Sequence, residues 1–260
     1  MQLATYQSVG VGILYDAVSL CDGTAASQIE EPQTEAALKA KSSLKISPDM
    51  LEPAYWQRLG HVVGQASGRG QSLFLDLGDR HWVLRPYRRG GLIAKLSTRR
   101  YVWTGLERTR AFREMRLTAD LFAAGLPVPR PILGGVTRHG LTYEATLITE
   151  RLPESIPLAD HLMADSADSD LLQRVGRIIR RFHDHGLDHV DLNARNLLID
   201  TNANPWLIDF DRCQLRRQGA WQAKNLERLG RSLAKFCTSP TSANAALMDI
   251  QQGYSASTSA

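Results

Sequence analysis

The stretch that decides the fold is His189-Val190-Asp191-Leu192-Asn193-Ala194-Arg195-Asn196, followed by Trp206-Leu207-Ile208-Asp209-Phe210-Asp211. Two short apolar runs, 197–199 and 206–208, lie between its polar pieces, and the residues that separate them are rich in turn formers. This order predicts a β-hairpin, and a hairpin brings the acidic segments at its two ends side by side. We therefore expect Asp191 and Asp209 to be neighbours in space.

Two carboxylates and an amide in this arrangement have the chemistry that phosphoryl transfer in a kinase-like fold requires. We predict that Asp191 is the catalytic carboxylate beside the attacking hydroxyl. We predict that Asn196 and Asp209 bind Mg²⁺ on the phosphates of ATP, because Mg²⁺ prefers oxygen ligands and takes few of them from the protein. The alternative is that the two acidic turns only cap loops.

A glycine-rich segment, 64–70, lies between two predicted strands. Gly64, Gly68 and Gly70 would let the backbone approach phosphate oxygens closely and direct N–H groups at them, which predicts a nucleotide-binding loop. The alternative is a plain structural turn.

The next predicted strand carries Arg85, at the position where protein kinases place a phosphate-binding lysine. Arginine also binds phosphate, so we predict a nucleotide-binding role for Arg85. Glu114, in the helix that follows, would pair with Arg85 and orient it. The alternatives are an ordinary strand-end arginine and a surface pair between Glu114 and Arg110.

The apolar patterns predict an α+β protein with a bilobal, protein-kinase-like fold. Residues 1–50 form a poorly assigned lead-in, with an isolated edge strand over 9–15 and a short helix near 35–41. Residues 51–152 form a β-rich N-lobe with the glycine loop, the third-strand arginine and a helix over 109–124. Residues 153–260 form a reduced α-helical C-lobe with the catalytic and metal-binding loops and terminal helices, with a final helix or two over about 221–236. The cleft of such a fold holds the nucleotide.

The amino-acid composition limits the classes of protein to which the chain can belong. The 260 residues are 43% hydrophobic and 22% charged, and the three cysteines have no metal-like spacing. This predicts a soluble globular protein of a reducing compartment, without a disulfide framework. We find no signal peptide and no apolar run long enough to span a bilayer, so we expect a location in the cytosol or on a membrane face.

The segment from Arg85 to Arg116 is strongly basic, with ten Lys or Arg residues opposed only by Glu107 and Glu114. Such a block predicts a polyanionic partner, and Tyr101 and Trp103 are candidate anchors at a lipid headgroup interface. The alternative is a solvated basic face whose apolar residues pack inward. We expect no nucleic acid partner, because the block lacks a recognised reading module.

Other chemistries fit less well. His183 and His185 are two residues apart and do not share a helix face, so packing is favoured over zinc binding. Only fifty residues follow Phe210, without an Ala-Pro-Glu element. The acceptor is therefore expected to be a sugar, a small molecule or a lipid headgroup rather than a protein.

Several motifs together resemble the 3-deoxy-D-manno-octulosonic acid (Kdo) kinases, a bacterial lipopolysaccharide kinase family with a protein-kinase-like fold. They are Leu84-Arg85-Pro86-Tyr87-Arg88-Arg89-Gly90-Gly91-Leu92, Arg110-Ala111-Phe112-Arg113-Glu114, Gly125-Leu126-Pro127-Val128-Pro129-Arg130-Pro131, Asp191-Leu192-Asn193-Ala194-Arg195-Asn196 and Ile208-Asp209-Phe210-Asp211-Arg212-Cys213.

The resemblance runs from about Tyr55 to Phe236 and implies phosphoryl transfer from ATP to a hydroxyl of Kdo on a lipid A precursor. Asp191 falls on the family's catalytic aspartate. It also implies a peripheral enzyme on the anionic cytoplasmic face of the inner membrane, acting in lipopolysaccharide core synthesis. Two alternatives stay open: another acceptor, such as heptose or an aminoglycoside-like molecule, and a nucleotide-binding pseudokinase, suggested by Arg85 and by Asp211 where kinases have glycine.

Overall fold

A computed structural model describes residues 1–20, 44–66, 72–88 and 99–256. The chain divides into two compact units: residues 1–119 with 130–151, and residues 120–129 with 152–260. The predicted α+β class is confirmed, because the described residues combine a large antiparallel sheet with seven α-helices. The predicted helix near 35–41 lies outside the described residues, as do Gly68 and Gly70.

The first unit is built on one eight-stranded antiparallel sheet with the order β1-β2-β7-β8-β5-β4-β3, and β6 also pairs with β8. The strands are β1 (Leu3–Ser8), β2 (Val11–Asp16), β3 (Val62–Gln65), β4 (Leu73–Asp76), β5 (His81–Pro86), β6 (Tyr101–Val102), β7 (Pro131–His139) and β8 (Thr142–Glu150). The prediction of a loop starting at Gly64 was wrong by two residues, because Gly64 and Gln65 still pair with β4.

The prediction of an isolated edge strand over residues 9–15 was also wrong. Strand β2 pairs with β1 on one side and with β7 on the other, and Ile13 and Leu14 are buried. The buried Asp16 carboxylate fixes this region, since it accepts hydrogen bonds from the Gln2 N–H (2.9 Å) and pairs with the Arg130 guanidinium (2.6 Å). The N-terminal residues thus form an integral part of the sheet.

In the described part of the first unit, the α-helices are α1 (Ala17–Leu20), α2 (Pro53–Arg58) and α3 (Arg110–Ala123), whose last turn belongs to the second unit. Helix α3 confirms the predicted helix over 109–124 and buries Phe112 and Met115. The helix ends at Ala123, and Gly125 follows with a φ of 69°, which suits glycine and lets the Leu126 N–H reach the Leu121 carbonyl at 3.1 Å.

Tyr101 does not fit the predicted role of an interfacial anchor. Its side chain is only 6% exposed and packs against Tyr143, because β6 pairs with the start of β8. Trp103 is half-buried, in edge contact with the same tyrosine. Tyr101 and Trp103 therefore both pack on Tyr143 of β8.

The second unit is mainly helical. It contains α4 (Leu158–Met163), α5 (Ser169–Asp184), α6 (Trp221–Leu233) and α7 (Pro240–Ser255), with the short strands β9 (Ile156–Pro157), β10 (Leu187–Asp188), β11 (Leu197–Ile199), β12 (Pro205–Leu207) and β13 (Gln214–Leu215). The predicted hairpin is present as β11 and β12. Its turn is closed by the Asp200 carboxylate, which accepts from the Asn204 N–H (2.8 Å) and the Trp206 indole (3.0 Å).

Helix α7, which the sequence did not predict, packs closely on α5. A Cβ on Gly176 would lie 2.0 Å from the Ile250 carbonyl oxygen, and one on Gly253 would lie 2.0 Å from that of Gln173. The buried His183 Nδ1 lies 2.9 Å from the Tyr254 hydroxyl at this crossing. Among the helices of the described residues, none combines the length and the apolar character needed to cross a bilayer.

Candidate active site

Side-chain hydrogen bonds of Asn193 and Asn196 fix the segment between β10 and β11. The Asn193 side-chain oxygen accepts from the N–H groups of Arg195 (2.9 Å) and Asn196 (3.2 Å), which closes a tight turn. The Asp191 carbonyl accepts from the side-chain amides of Asn193 (2.9 Å) and Asn196 (3.0 Å). The backbone of Asp191 is therefore fixed while its carboxylate stays exposed.

The second acidic segment follows β12 and is tied to the first by two bonds. The Ile208 N–H donates to the Asn196 carbonyl at 3.0 Å, and the His189 Nε2 donates to the Ile208 carbonyl at 3.1 Å. Asp209 comes next, with a φ of 64° that is uncommon for a residue with a side chain. The hairpin thus places Asp191, Asn196 and Asp209 in one region of the second unit.

The buried His189 imidazole interacts electrostatically with the carboxylates of Asp191 and Asp209. Burial lowers the pKa of its imidazole from the ordinary 6.5, against the opposing effects of the Ile208 carbonyl and of the Asp209 and Asp191 carboxylates. The imidazole is therefore neutral near pH 7, with its proton on Nε2. Its buried Nδ1 has no hydrogen-bond partner in the part of the chain that the structure describes.

Helix α6 supports the catalytic segment from behind, through residues that the sequence reasoning missed. The Asn225 side chain accepts from the His189 N–H at 3.0 Å and donates to the Asp188 carboxylate at 2.9 Å. The Ser232 hydroxyl accepts from the Ala194 N–H at 3.1 Å. The seven-residue spacing of Asn225 and Ser232 places both on one face of α6, and this spacing was the signal available in the sequence.

The first unit contains the predicted pair of Arg85 and Glu114. Glu114 on α3 is 3% exposed, and its carboxylate forms an ion pair with Arg85 on β5 and accepts a hydrogen bond from the Tyr87 hydroxyl. The Arg85 guanidinium also lies over the Tyr87 ring, 4.9 Å from its centre. The predicted pairing of Arg85 with Glu114 is present, and Tyr87 is a third member that the sequence reasoning missed.

The donor set near Asp209 suits a hard cation. Within the described residues, no hydrogen bond to the Asn196 side-chain oxygen is found, while its amide nitrogen is engaged with Asp191. One carboxylate and one amide oxygen fit Mg²⁺, which completes its shell with water and phosphate. The described ranges hold no cluster of three or more His, Cys, Asp or Glu side chains that would bind a metal on its own. His183 is engaged with Tyr254, in agreement with a packing role.

In the second unit, an exposed carboxylate near an amide and carboxylate oxygen pair can orient a hydroxyl group for attack on a phosphoryl group. In the first unit, the half-buried Arg85, held by the buried Glu114, can present a fixed cation to phosphates. Each of the two arrangements, taken by itself, is of a kind that kinase-type phosphotransferases use.

The comparisons with known proteins agree with this class. Residues 53–254 match the lipopolysaccharide kinase (Kdo/WaaP) family. A 3-deoxy-D-manno-octulosonic acid kinase of Vibrio cholerae serotype O1 is 43% identical over 183 residues, 70% of this chain and 78% of that protein. Proteins of the same name from Stenotrophomonas maltophilia and Xylella fastidiosa are 42% identical over 207 residues (79% and 80% of the two chains) and 44% identical over 185 residues (71% and 74%). The chain belongs to the lipopolysaccharide kinase (Kdo/WaaP) family and is a phosphotransferase.

Proposed function

We propose that this chain is an ATP-dependent Kdo kinase, which transfers the γ-phosphoryl group to a hydroxyl of Kdo on a Kdo-lipid A precursor. The observation that carries the proposal is the linkage of Asp191, Asn196 and Asp209 through the Asn196–Asp191 and Ile208–Asn196 hydrogen bonds. The names of the relatives support the choice of acceptor.

Each residue has a defined role in this proposal. Asp191 accepts or orients the proton of the Kdo hydroxyl. Asn196 and Asp209 hold Mg²⁺, which when bound neutralises charge on the phosphates of ATP. Arg85 binds these phosphates in an orientation fixed by Glu114. Nucleotide contacts are assigned to Gly64, which lies in β3, and to Gly68 and Gly70, which lie outside the described residues.

The fold and location are part of the same proposal. Residues 51–152 are the N-lobe of a protein-kinase-like fold and residues 153–260 its C-lobe. Because the acceptor is a glycolipid, the enzyme works as a peripheral protein on the cytoplasmic face of the bacterial inner membrane.

The test is transfer of labelled phosphate from ATP to Kdo-lipid A with and without Mg²⁺, with the new phosphate located by NMR. We expect Asp191→Ala to lower kcat by about 10²- to 10⁴-fold, the usual contribution of a general base. The matched control is Asp170→Ala, because Asp170 is exposed and pairs only with arginines on its own helix (2.7 Å to Arg174).

Two outcomes contradict the proposal. Transfer of phosphate to a heptose or an aminoglycoside but not to Kdo would mean that the chain is a kinase with a different acceptor. ATP binding without transfer to any acceptor would identify a pseudokinase.

A further inference from the structure

Three apolar side chains project from one end of the sheet in the first unit. Val9 at the β1–β2 turn is 101% exposed, Leu141 at the β7–β8 turn is 83% exposed, and Val102 on β6 is 64% exposed. We call these residues, together with the half-buried Trp103, the hairpin-tip patch.

The strand register places these residues together. Strand β2 starts at Val11, which pairs with Thr137 near the end of β7, so the β1–β2 and β7–β8 turns are neighbours. The Arg138 N–H donates to the Gly10 carbonyl at 2.6 Å, and the Trp103 N–H donates to the Leu141 carbonyl at 2.9 Å. Since neighbouring strands lie about 4.8 Å apart, adjacent tips are separated by roughly 10 Å.

An apolar tip is unusual at this place in a fold. Tight turns favour Gly, Asn, Asp, Ser and Pro, and single exposed apolar residues elsewhere on a surface need no explanation. Here three lie side by side at one end of neighbouring strands of the sheet, and the exposed Val9 and Leu141 gain almost nothing from packing in the first unit. Their exposure carries a hydration cost that a partner surface would remove.

The charged groups around the patch are mainly basic. Arg138 lies near the end of β7, beside the β7–β8 turn, and Arg99 and Arg100 precede β6. The Arg138 guanidinium is held at the tip, because it donates to the Gly140 carbonyl at 2.9 Å and lies 4.9 Å from the Trp103 ring centre. The nearby acidic residues already have basic partners: Glu107 with Arg116 (2.8 Å) and Glu144 with Arg100 (3.8 Å).

We propose that the hairpin-tip patch docks on an anionic phospholipid bilayer. Val9, Val102 and Leu141 enter the boundary between headgroups and acyl chains, while Arg138 and the neighbouring cations bind lipid phosphates. Apolar tips ringed by cations are complementary to such a surface. The choice of a bilayer as partner rests also on the proposed function, whose acceptor is a glycolipid.

The test is flotation of the purified chain with vesicles of phosphatidylcholine alone or of phosphatidylcholine with phosphatidylglycerol. We expect binding to the anionic vesicles, weakened by salt. Val9→Ser/Leu141→Ser should raise the lipid concentration at half-binding by about tenfold or more. The control is Met163→Ser/Met248→Ser, which removes two exposed apolar residues (53% and 69%) from the second unit and should leave binding unchanged.

Thermal melting of both double variants is expected to match the native chain, because the replaced side chains are exposed. Equal vesicle binding by the native chain and Val9→Ser/Leu141→Ser would overturn the proposal, as would no binding by the native chain. So would concentration-dependent self-association in sedimentation velocity that the tip variant abolishes, since the patch would then bind a second copy.

Kinase assays separate this proposal from the proposed function. On a water-soluble, deacylated Kdo acceptor, Val9→Ser/Leu141→Ser should retain native kcat and KM. A chain that floats with anionic vesicles through these tips but phosphorylates no Kdo acceptor would support the docking surface and reject the proposed function. A chain that phosphorylates a Kdo acceptor but does not bind vesicles would support the proposed function and reject the docking surface.

Discussion

Replacing His183 by glutamine should change how the stability of the second unit depends on pH. Burial lowers the pKa of the His183 imidazole from the ordinary 6.5 to about 4, although hydrogen bonding to Asn225 and the carboxylates of Asp184 and Asp188 act in the opposite direction. Below pH 6.5 the unfolded chain therefore binds a proton that the folded chain does not. Stability is lost as the pH falls from 6.5 towards 4.

The size of the effect follows from these two values. Between pH 7 and pH 5, the linkage relation gives a loss of about 2 kcal/mol in the free energy of unfolding from His183 alone. His183→Gln removes this pH-dependent contribution to the free energy of unfolding. The substitution also changes the contact with Tyr254, but the energy of that contact does not vary with pH in this range. His189, whose pKa burial also lowers, contributes in the native chain and in the variant and cancels in the comparison.

Urea unfolding followed by tryptophan fluorescence at pH 7 and pH 5 measures the difference, because Trp221 lies against the His183 ring with 5.1 Å between ring centres. The variant should lose about 2 kcal/mol less than the native chain over this interval. The exposed His185, replaced by glutamine, serves as control and should keep the native dependence. Equal losses in the native chain and in His183→Gln would refute the reasoning.

Three further substitutions have defined outcomes. Asn225→Ala removes the acceptor of the buried His189 N–H, so the free energy of unfolding should fall by about 2–4 kcal/mol and kcat should drop more than the KM for ATP changes. Glu114→Gln removes the charge that holds Arg85 and should raise the KM for ATP, with a stability loss of about 1–3 kcal/mol. Gly253→Ala places a Cβ 2.0 Å from a backbone oxygen of the facing helix and should destabilise by about 3 kcal/mol in urea unfolding.

Each of these has an informative control or contrary result. The control for Gly253→Ala is Gln251→Ala, on the solvent side of α7, which should change the free energy of unfolding by no more than about 0.5 kcal/mol. If Gly253→Ala had an equally small effect, α5 and α7 would be able to move apart at low cost. An Asn225→Ala enzyme with native kcat at a temperature where it is folded would mean that α6 does not position the catalytic segment. Native KM for ATP in Glu114→Gln would remove Arg85 from the nucleotide site.

The parts predicted from sequence are those with strong local signals. Helix α3 has a clear apolar periodicity and a glycine just beyond its last residue, and the hairpin of β11 and β12 has a turn closed by Asp200. The linkage of Asp191 and Asp209 followed from that hairpin. The pair of Arg85 and Glu114 was predictable from the kinase pattern, in which a glutamate on the following helix pairs with the cation on the third strand.

The missed parts depend on partners distant in sequence. Strand β7 starts at Pro131 and contains two glycines, so its strand character comes from pairing with β2 and β8. Helix α7 is rich in small residues, and its amphipathic signal is weak because Gly253 rather than a large side chain forms the contact with α5. Tyr101 was misassigned to an interface because the pairing of β6 with β8 cannot be inferred from two residues.

The N-terminal hairpin limits how far the chain can be shortened. The family match begins at residue 53, yet β1 and β2 cover the outer edge of β7 and contribute Ile13 and Leu14 to the interior. A fragment restricted to the matched residues would leave β7 with a bare row of backbone donors and acceptors beside an opened apolar surface. Such a fragment should aggregate through edge-to-edge strand pairing, so homology alone does not delimit the minimal folding unit of this kinase.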